Sequence, residues 1–125
     1  MDAERELVFV YGTLRRGASN HFRMKGAELV GPATVGGKLF RIGWYPGLRP
    51  DPEGPTVSGE VYKVSAQLLV ELDEFEGAAG EVADEFRRVE AIATLASDPA
   101  PRMVWLWEYA GSTEGCTRIP GGDWL

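Results

Sequence analysis

The chain has 125 residues, with 13 basic side chains against 19 acidic ones and a net charge of −6. That size makes one domain, residues 1–125, with core enough to fold without staples, and the acidic balance argues against nucleic acid or an anionic membrane as partner. A single cysteine, Cys116, excludes an internal disulfide and a Cys-rich zinc site, and a single histidine, His21, leaves no multi-histidine metal centre to build.

Residues Met1 to Glu6 are polar and expected to fray. Leu7-Val8-Phe9-Val10-Tyr11 has almost no polar alternation, which predicts a strand buried on both faces. Gly12 breaks the run, and Thr13, Leu14, Arg15, Arg16 and Gly17 follow. Without a Cβ, Gly12 permits a sharp turn and a close approach. The N–H groups of Gly12, Thr13 and Leu14 can then face one concavity, and such a nest binds carboxylate or phosphate oxygens. The plainer alternative is a buried strand and an ordinary turn. Arg15 and Arg16 either draw an anion toward the loop or stand in solvent. His21 reads as a surface or helix-start residue.

Ser19 or Asn20 is expected to cap a short helix to about Leu29, stopped by Gly31-Pro32. Thr34 to Ile42, with paired glycines, predicts a bent or bulged strand. Gly43 to Leu48 reads as a loop carrying Trp44 and Tyr45, and Arg49 to Pro55 as an exposed, proline-rich loop. Thr56 to Val64 predicts a strand. Ser65 is a good N-cap for a helix from Ala66 to about Phe75, ended by Gly77 and the Ala78-Ala79-Gly80 stretch. Glu81 to Glu85 is an acidic surface loop. Arg87 to Leu95 and Arg102 to Tyr109 form a hairpin around a turn at Ser97 to Pro101. The second of these strands is apolar on both faces, as suits a curled sheet packed inside and out. Helices and strands do not alternate regularly. The expected fold is therefore α+β: a small mixed, strongly curved sheet or barrel of roughly five or six strands with about two short helices. No N-terminal signal pattern and no long apolar span occur, so the expected compartment is the cytoplasm.

One acid in the second helix is in an odd place. At roughly 100° per residue, Leu68, Leu72 and Phe75 fall together with Leu69 at the edge of their sector. Glu74 points nearly opposite, and Glu71 and Asp73 lie on the flanks. Glu76 lands between Leu72 and Leu69, inside the apolar sector. A carboxylate in the last helical turn also meets the negative end of the dipole, and burial disfavours its charge. Both push its pKa toward the range useful for proton transfer near neutral pH. The alternative is a glutamate that snorkels out where the helix frays, or pairs with Arg87 or Arg88. Cys116 has no obvious base beside it, the Trp105/Trp107 stripe reads as core, and Asp123 as a surface acid.

Several stretches resemble the γ-glutamylcyclotransferase-like superfamily, which includes the γ-glutamylamine cyclotransferases. Tyr11-Gly12-Thr13-Leu14-Arg15, with Gly17 and Asn20, is similar to its signature loop. Leu72-Asp73-Glu74-Phe75-Glu76-Gly77 resembles its helix end, whose second Glu is the family's acid/base. Tyr45-Pro46-Gly47, Gly59-Glu60-Val61-Tyr62, Phe86-Arg87-Arg88-Val89 and Gly122-Asp123-Trp124 also fit, in family order. Phe86 stands where the family often has Tyr, and Ala78 to Glu85 is longer and more acidic than the pattern.

The resemblance implies cleavage of a γ-glutamyl amine, or a related small γ-glutamyl compound, by its own α-amine, releasing 5-oxoproline and an amine. It implies Glu76 as general acid/base and Tyr11, Gly12, Thr13 and Leu14 as the anion site, with Arg15, Tyr45 and Tyr62 as pocket walls. No metal and no other cofactor is expected. The expected partner is the small substrate, with no nucleic acid and no membrane, and the expected state a monomer or weak homodimer. Two other readings stand beside it. One is a non-catalytic domain that binds a small carboxylate or amino-acid derivative on the Tyr11–Leu14 loop. The other is hydrolysis by water, for which no nucleophile or base can be named.

Overall fold

The computed structural model describes residues 5–18, 20–43, 45–79, 86–97 and 99–124, with backbone alone for Arg5 and for 76–79. The expectations for Ser19, Trp44, the acidic loop at Glu81 to Glu85 and the Glu76 side chain lie outside the described residues. The elements run β1 (Arg5–Val10), β2 (Glu28–Arg41), β3 (Pro46–Pro50), β4 (Thr56–Ser65), α1 (Ala66–Ala79), β5 (Phe86–Leu95), β6 (Pro101–Tyr109) and β7 (Thr117–Arg118), with a 3-10 turn at His21–Met24.

Five strands close into a barrel in the order β2-β4-β1-β6-β5, and β5 returns to β2 through Ala33↔Leu95 and Thr34↔Thr94. Neighbours are antiparallel except β1 and β6, which run parallel at Val8↔Trp105. The second half of β2 leaves the barrel and carries β3 and β7 as an annex.

Strand β1 is the hub. Phe9 and Tyr11 face the barrel interior with Val61, Val104 and Leu106. Val8 and Val10 face outward and are covered by Leu69 and Leu72 of α1, with Leu14, Met24 and Trp107 around them. Phe9 and Val8 are both 0% exposed. The unbroken apolar run is thus a strand with two cores, one on each side.

Four expectations need correction. The helix expected to reach Leu29 is a single 3-10 turn, held by Arg23 N to Asn20 O at 3.0 Å and Lys25 N to Phe22 O at 3.3 Å. Strand β2 starts at Glu28 instead, because β4 offers it a partner, Glu28↔Lys63 and Leu29↔Tyr62. Gly31-Pro32 does not stop an element. It sits inside β2 beside a register shift between Leu29 and Gly31, where a bulge tolerates the missing proline N–H. The loops expected at Gly43–Leu48 and Arg49–Pro55 contain β3, a short strand at the sheet edge whose ends are Pro46 and Pro50. Helix α1 also runs past Gly77 to Ala79, since one glycine costs a helix only about 1 kcal/mol. Its cap is as expected: Leu68 N donates to Ser65 Oγ at 3.1 Å.

Leu106, 0% exposed in the barrel interior, gives a test of this architecture. Leu106→Ala is expected to lower unfolding free energy by about 2–5 kcal/mol, read from urea denaturation with an unchanged m-value.

Candidate functional site

The loop that leaves β1 is stitched from within. Arg15 N donates to Gly12 O at 3.0 Å, Asn20 N to Thr13 O at 2.8 Å and Ala18 N to Arg15 O at 2.8 Å. His21 Nδ1 lies 2.9 Å from Leu14 O. A carbonyl only accepts, so this nitrogen carries the proton. Among the described residues no acceptor takes the N–H groups of Gly12, Thr13 or Leu14. Gly12 is required for a reason other than a turn. A Cβ there would stand 2.6 Å from Pro46 Cγ, so β3 closes over the loop only where the side chain is absent.

The outer anchor of the loop is Glu60 on β4, a buried acid at 9% exposure. Its Oε1 accepts from Arg16 N at 2.8 Å and from the Tyr62 hydroxyl at 3.3 Å, and its Oε2 accepts from Arg15 Nε at 3.0 Å. Arg15 Nη1 donates to Asp123 Oδ1 near the chain's end. Burial by itself would lower the Arg15 pKa, but the bonds to Glu60 and Asp123 outweigh it and raise it. The Tyr62 hydroxyl is pushed up to about 12, by burial first and then by the Glu60 charge and hydrogen bond, against Arg16 and Arg15. It therefore stays protonated and donates to the carboxylate. Of the expected pocket walls, Arg15 and Tyr62 have their polar ends committed to Glu60.

Tyr11 is nearly buried, and its hydroxyl donates to Trp107 O at 2.7 Å while accepting from Leu48 N at 3.1 Å. The third expected wall, Tyr45, is buried against Phe86 with ring centroids 5.8 Å apart, and Phe86 in turn meets the Tyr109 ring at 5.7 Å. The ring without a hydroxyl is thus flanked by two that have one.

Helix α1 carries Glu76 in its last turn. Leu69 and Leu72 are buried and Glu71 and Glu74 exposed, the rotation the apolar spacing predicts. Position 76 follows Leu72 by four residues and Leu69 by seven, so it falls on the face those leucines bury. The helix is pinned one turn earlier by Asp73, whose Oδ1 accepts from Trp107 Nε1 at 2.8 Å and lies 3.2 Å from Arg88 Nε. The Arg88 guanidinium also lies over the Trp105 ring, 4.5 Å from its centroid. On the other flank the Arg23 guanidinium sits 4.1 Å from the Phe75 ring centroid. A cavity of about 340 Å³ opens there, lined by Phe22, Arg23, Lys25, Leu68, Glu71, Leu72 and Phe75. None of the expected site residues lines it.

Glu60, Asp73 and Trp107 were not among the expected site residues. The signal for Glu60 was present: it shares the alternate face of β4 with Tyr62 and Val64, where an acid is out of pattern. Asp73 and Trp107 gave none, because a flanking acid and a core indole meet only in the folded chain.

A closed five-stranded barrel with a helix packed across its hub strand is a fold shared with solved AIG2-like structures. A family model described as gamma-glutamyl cyclotransferase, AIG2-like, matches residues 8–125, and the chain belongs to that family. It is 34% identical over 119 residues to the Escherichia coli K12 gamma-glutamylcyclotransferase family protein YtfP, covering 94% of this chain and 95% of the relative. It is 42% identical over 121 residues to the gamma-L-glutamyl-butirosin B gamma-glutamyl cyclotransferase of Niallia circulans, covering 94% and 74%. Among solved structures, that of an AIG2-like protein from Mus musculus superposes with a TM-score of 0.76 at 26% identity, covering 89% of this chain and 82% of that one. These relatives support cyclotransferase activity in general. Among the described residues no helix is long and apolar enough to cross a membrane.

The Tyr62 hydroxyl gives a pH prediction. Its ordinary pKa is 10.0 and its folded value about 12, so folding favours the protonated form. The stability this contributes is complete below pH 10 and is lost as pH rises toward about 12. Urea midpoints between pH 9 and 12 are expected to fall less steeply for Tyr62→Phe than for the wild type.

Proposed function

We propose that this protein cleaves a small γ-glutamyl amide by intramolecular attack of the substrate's own α-amine, releasing 5-oxoproline and the free amine. The observation that carries this reading is the single apolar cluster in which Leu14 of the amide loop packs with Leu69 and Leu72 of α1 over Val8 and Val10. It packs the loop with unpaired amides and the helix bearing Glu76 against one strand, in a family whose members carry the cyclotransferase name.

The chemistry has few needs. The substrate's α-carboxylate requires donors, and the N–H groups of Gly12, Thr13 and Leu14 are free to supply them. The α-ammonium must lose a proton, which the Glu76 carboxylate accepts. The freed amine attacks the γ-carbonyl carbon, so a ring C–N bond forms and the amide C–N bond breaks. Glu76 returns that proton to the departing amine, and the second proton that the ring nitrogen sheds on becoming a lactam N–H follows the same route, so the amine leaves as its ammonium. Atoms balance without water, and no redox step occurs. One placed acid/base contributes about 10²–10⁴-fold, and a folded substrate conformer supplies the entropic share. Arg15 acts as a clamp that shapes the loop, since its charge is shared between Glu60 and Asp123. Tyr11 fixes the root of the loop through its hydroxyl bonds to Trp107 O and Leu48 N, and Tyr45 contributes an aromatic wall beside Phe86.

The test is a panel of γ-L-glutamyl amides of n-butylamine, alanine and aniline, with 5-oxoproline release as readout. At least one member is expected to turn over, and Glu76→Gln is expected to lower that turnover by at least about 100-fold with the far-UV spectrum unchanged. Turnover by Glu76→Gln at the wild-type rate would remove Glu76 from the mechanism. Calorimetric binding across the panel without product would instead favour a carboxylate-binding domain.

A further inference from the structure

Trp107 is hydrogen-bonded to both halves of the candidate site. Its backbone carbonyl accepts from the Tyr11 hydroxyl at 2.7 Å, at the root of the amide loop. Its indole Nε1 donates to Asp73 Oδ1 at 2.8 Å, one turn before Glu76 on α1. The Tyr11 hydroxyl also accepts from Leu48 N at 3.1 Å, which ties β3 into the same chain of bonds. Trp107 is 4% exposed, and it packs in the cluster that contains Leu14 and Leu72.

We infer that Trp107 and Asp73 are positioning residues: the indole–carboxylate bond sets the rotation of α1, and so the placement of the Glu76 carboxyl relative to the amide loop. This rests on the proposed role of Glu76. Leucine packing alone leaves a helix free to roll, because apolar contacts are non-directional. A hydrogen bond from a rigid indole to a carboxylate is directional, and a charged acceptor makes it a strong one. Asp73 precedes Glu76 by three residues, so both lie on adjoining parts of the same helical surface. A roll of the helix that breaks the Trp107 bond therefore displaces position 76 with it. Arg88 backs the same carboxylate from β5 at 3.2 Å and adds a second fixed point.

The two arms of Trp107 are chemically separable, because one is backbone and the other side chain. Trp107→Phe removes the indole N–H and keeps the carbonyl that holds Tyr11. It is expected to lower kcat by about 10- to 100-fold on the best amide of the panel, with KM within about twofold, since the anion donors stay in place. Asp73→Ala is expected to show the same split, and Asp73→Asn, which keeps an oxygen acceptor, to recover most of kcat. Glu76→Gln is run beside them. If Glu76→Gln is inactive and Trp107→Phe has wild-type kcat, the positioning role is overturned and the acid/base reading stands. If Glu76→Gln is active, the acid/base reading itself fails. Should Trp107→Phe not fold by circular dichroism, the Asp73 pair decides: recovery by Asn supports the inference, and equal loss in Asn and Ala overturns it.

Discussion

Everything in this fold depends on one strand being buried twice. Residues Leu7 to Val10 carry no polar side chain, so neither face of β1 tolerates water. The barrel takes one face, and α1 with the loop residue Leu14 takes the other. A fully buried aliphatic or aromatic side chain is worth about 1.5–3 kcal/mol. Exposing one face of Val8 and Val10 by lifting the helix is therefore costly. The helix is held over β1, and the loop that continues β1 lies beside it. The proximity of the amide loop to α1 follows from where the apolar residues are, before any polar contact is made.

The polar contacts then refine what the apolar ones allow. Glu60 is an acid in a barrel wall, and burying a lone carboxylate is expensive. Here it accepts from a guanidinium, a backbone amide and a phenol, so each of its oxygens has a donor. The three donors belong to the loop and to β4 itself. The charge thus holds the loop in one shape in place of solvent. Asp123, near the far end of the chain, adds its carboxylate to Arg15. Residues 15, 60 and 123 are distant in sequence, and no local pattern shows that they meet.

That contrast explains what was legible before the structure. The double-faced strand, the Ser65 cap, the β5–β6 hairpin and the rotation of α1 were readable, since each follows from local spacing. The curved mixed sheet followed from having apolar residues on both sides of β1 and β6. The short helix after Asn20 was misread because residues 28–30 satisfy either a helix or a strand, and the free edge of β4 decides between them. Strand β3 was hidden by its own prolines, which an edge strand accommodates. At the site, Tyr11, Gly12, Thr13 and Leu14 were readable as a loop after a strand. The true constraint on Gly12, the ring of Pro46, was not. Nor was the use of Arg15 as a clamp, because nothing near it in sequence shows which acid it will meet.

On the proposed chemistry the nucleophile, the electrophile and the leaving group all arrive in one molecule. A hydrolase must also place a water, whereas a cyclising enzyme has only to fold its ligand and move one proton. The barrier then depends on distances set within the protein: from the amides that hold the carboxylate to the carboxyl that takes the proton. A displacement of about 1 Å in such a geometry can cost 100-fold. Apolar packing alone, which tolerates small slides, does not guarantee that precision. This is the physical case for an indole in the barrel wall that bonds to the helix with its ring and to the loop's root with its backbone. One rigid residue sets both ends of the distance that matters, and the rest of the core has only to keep it still.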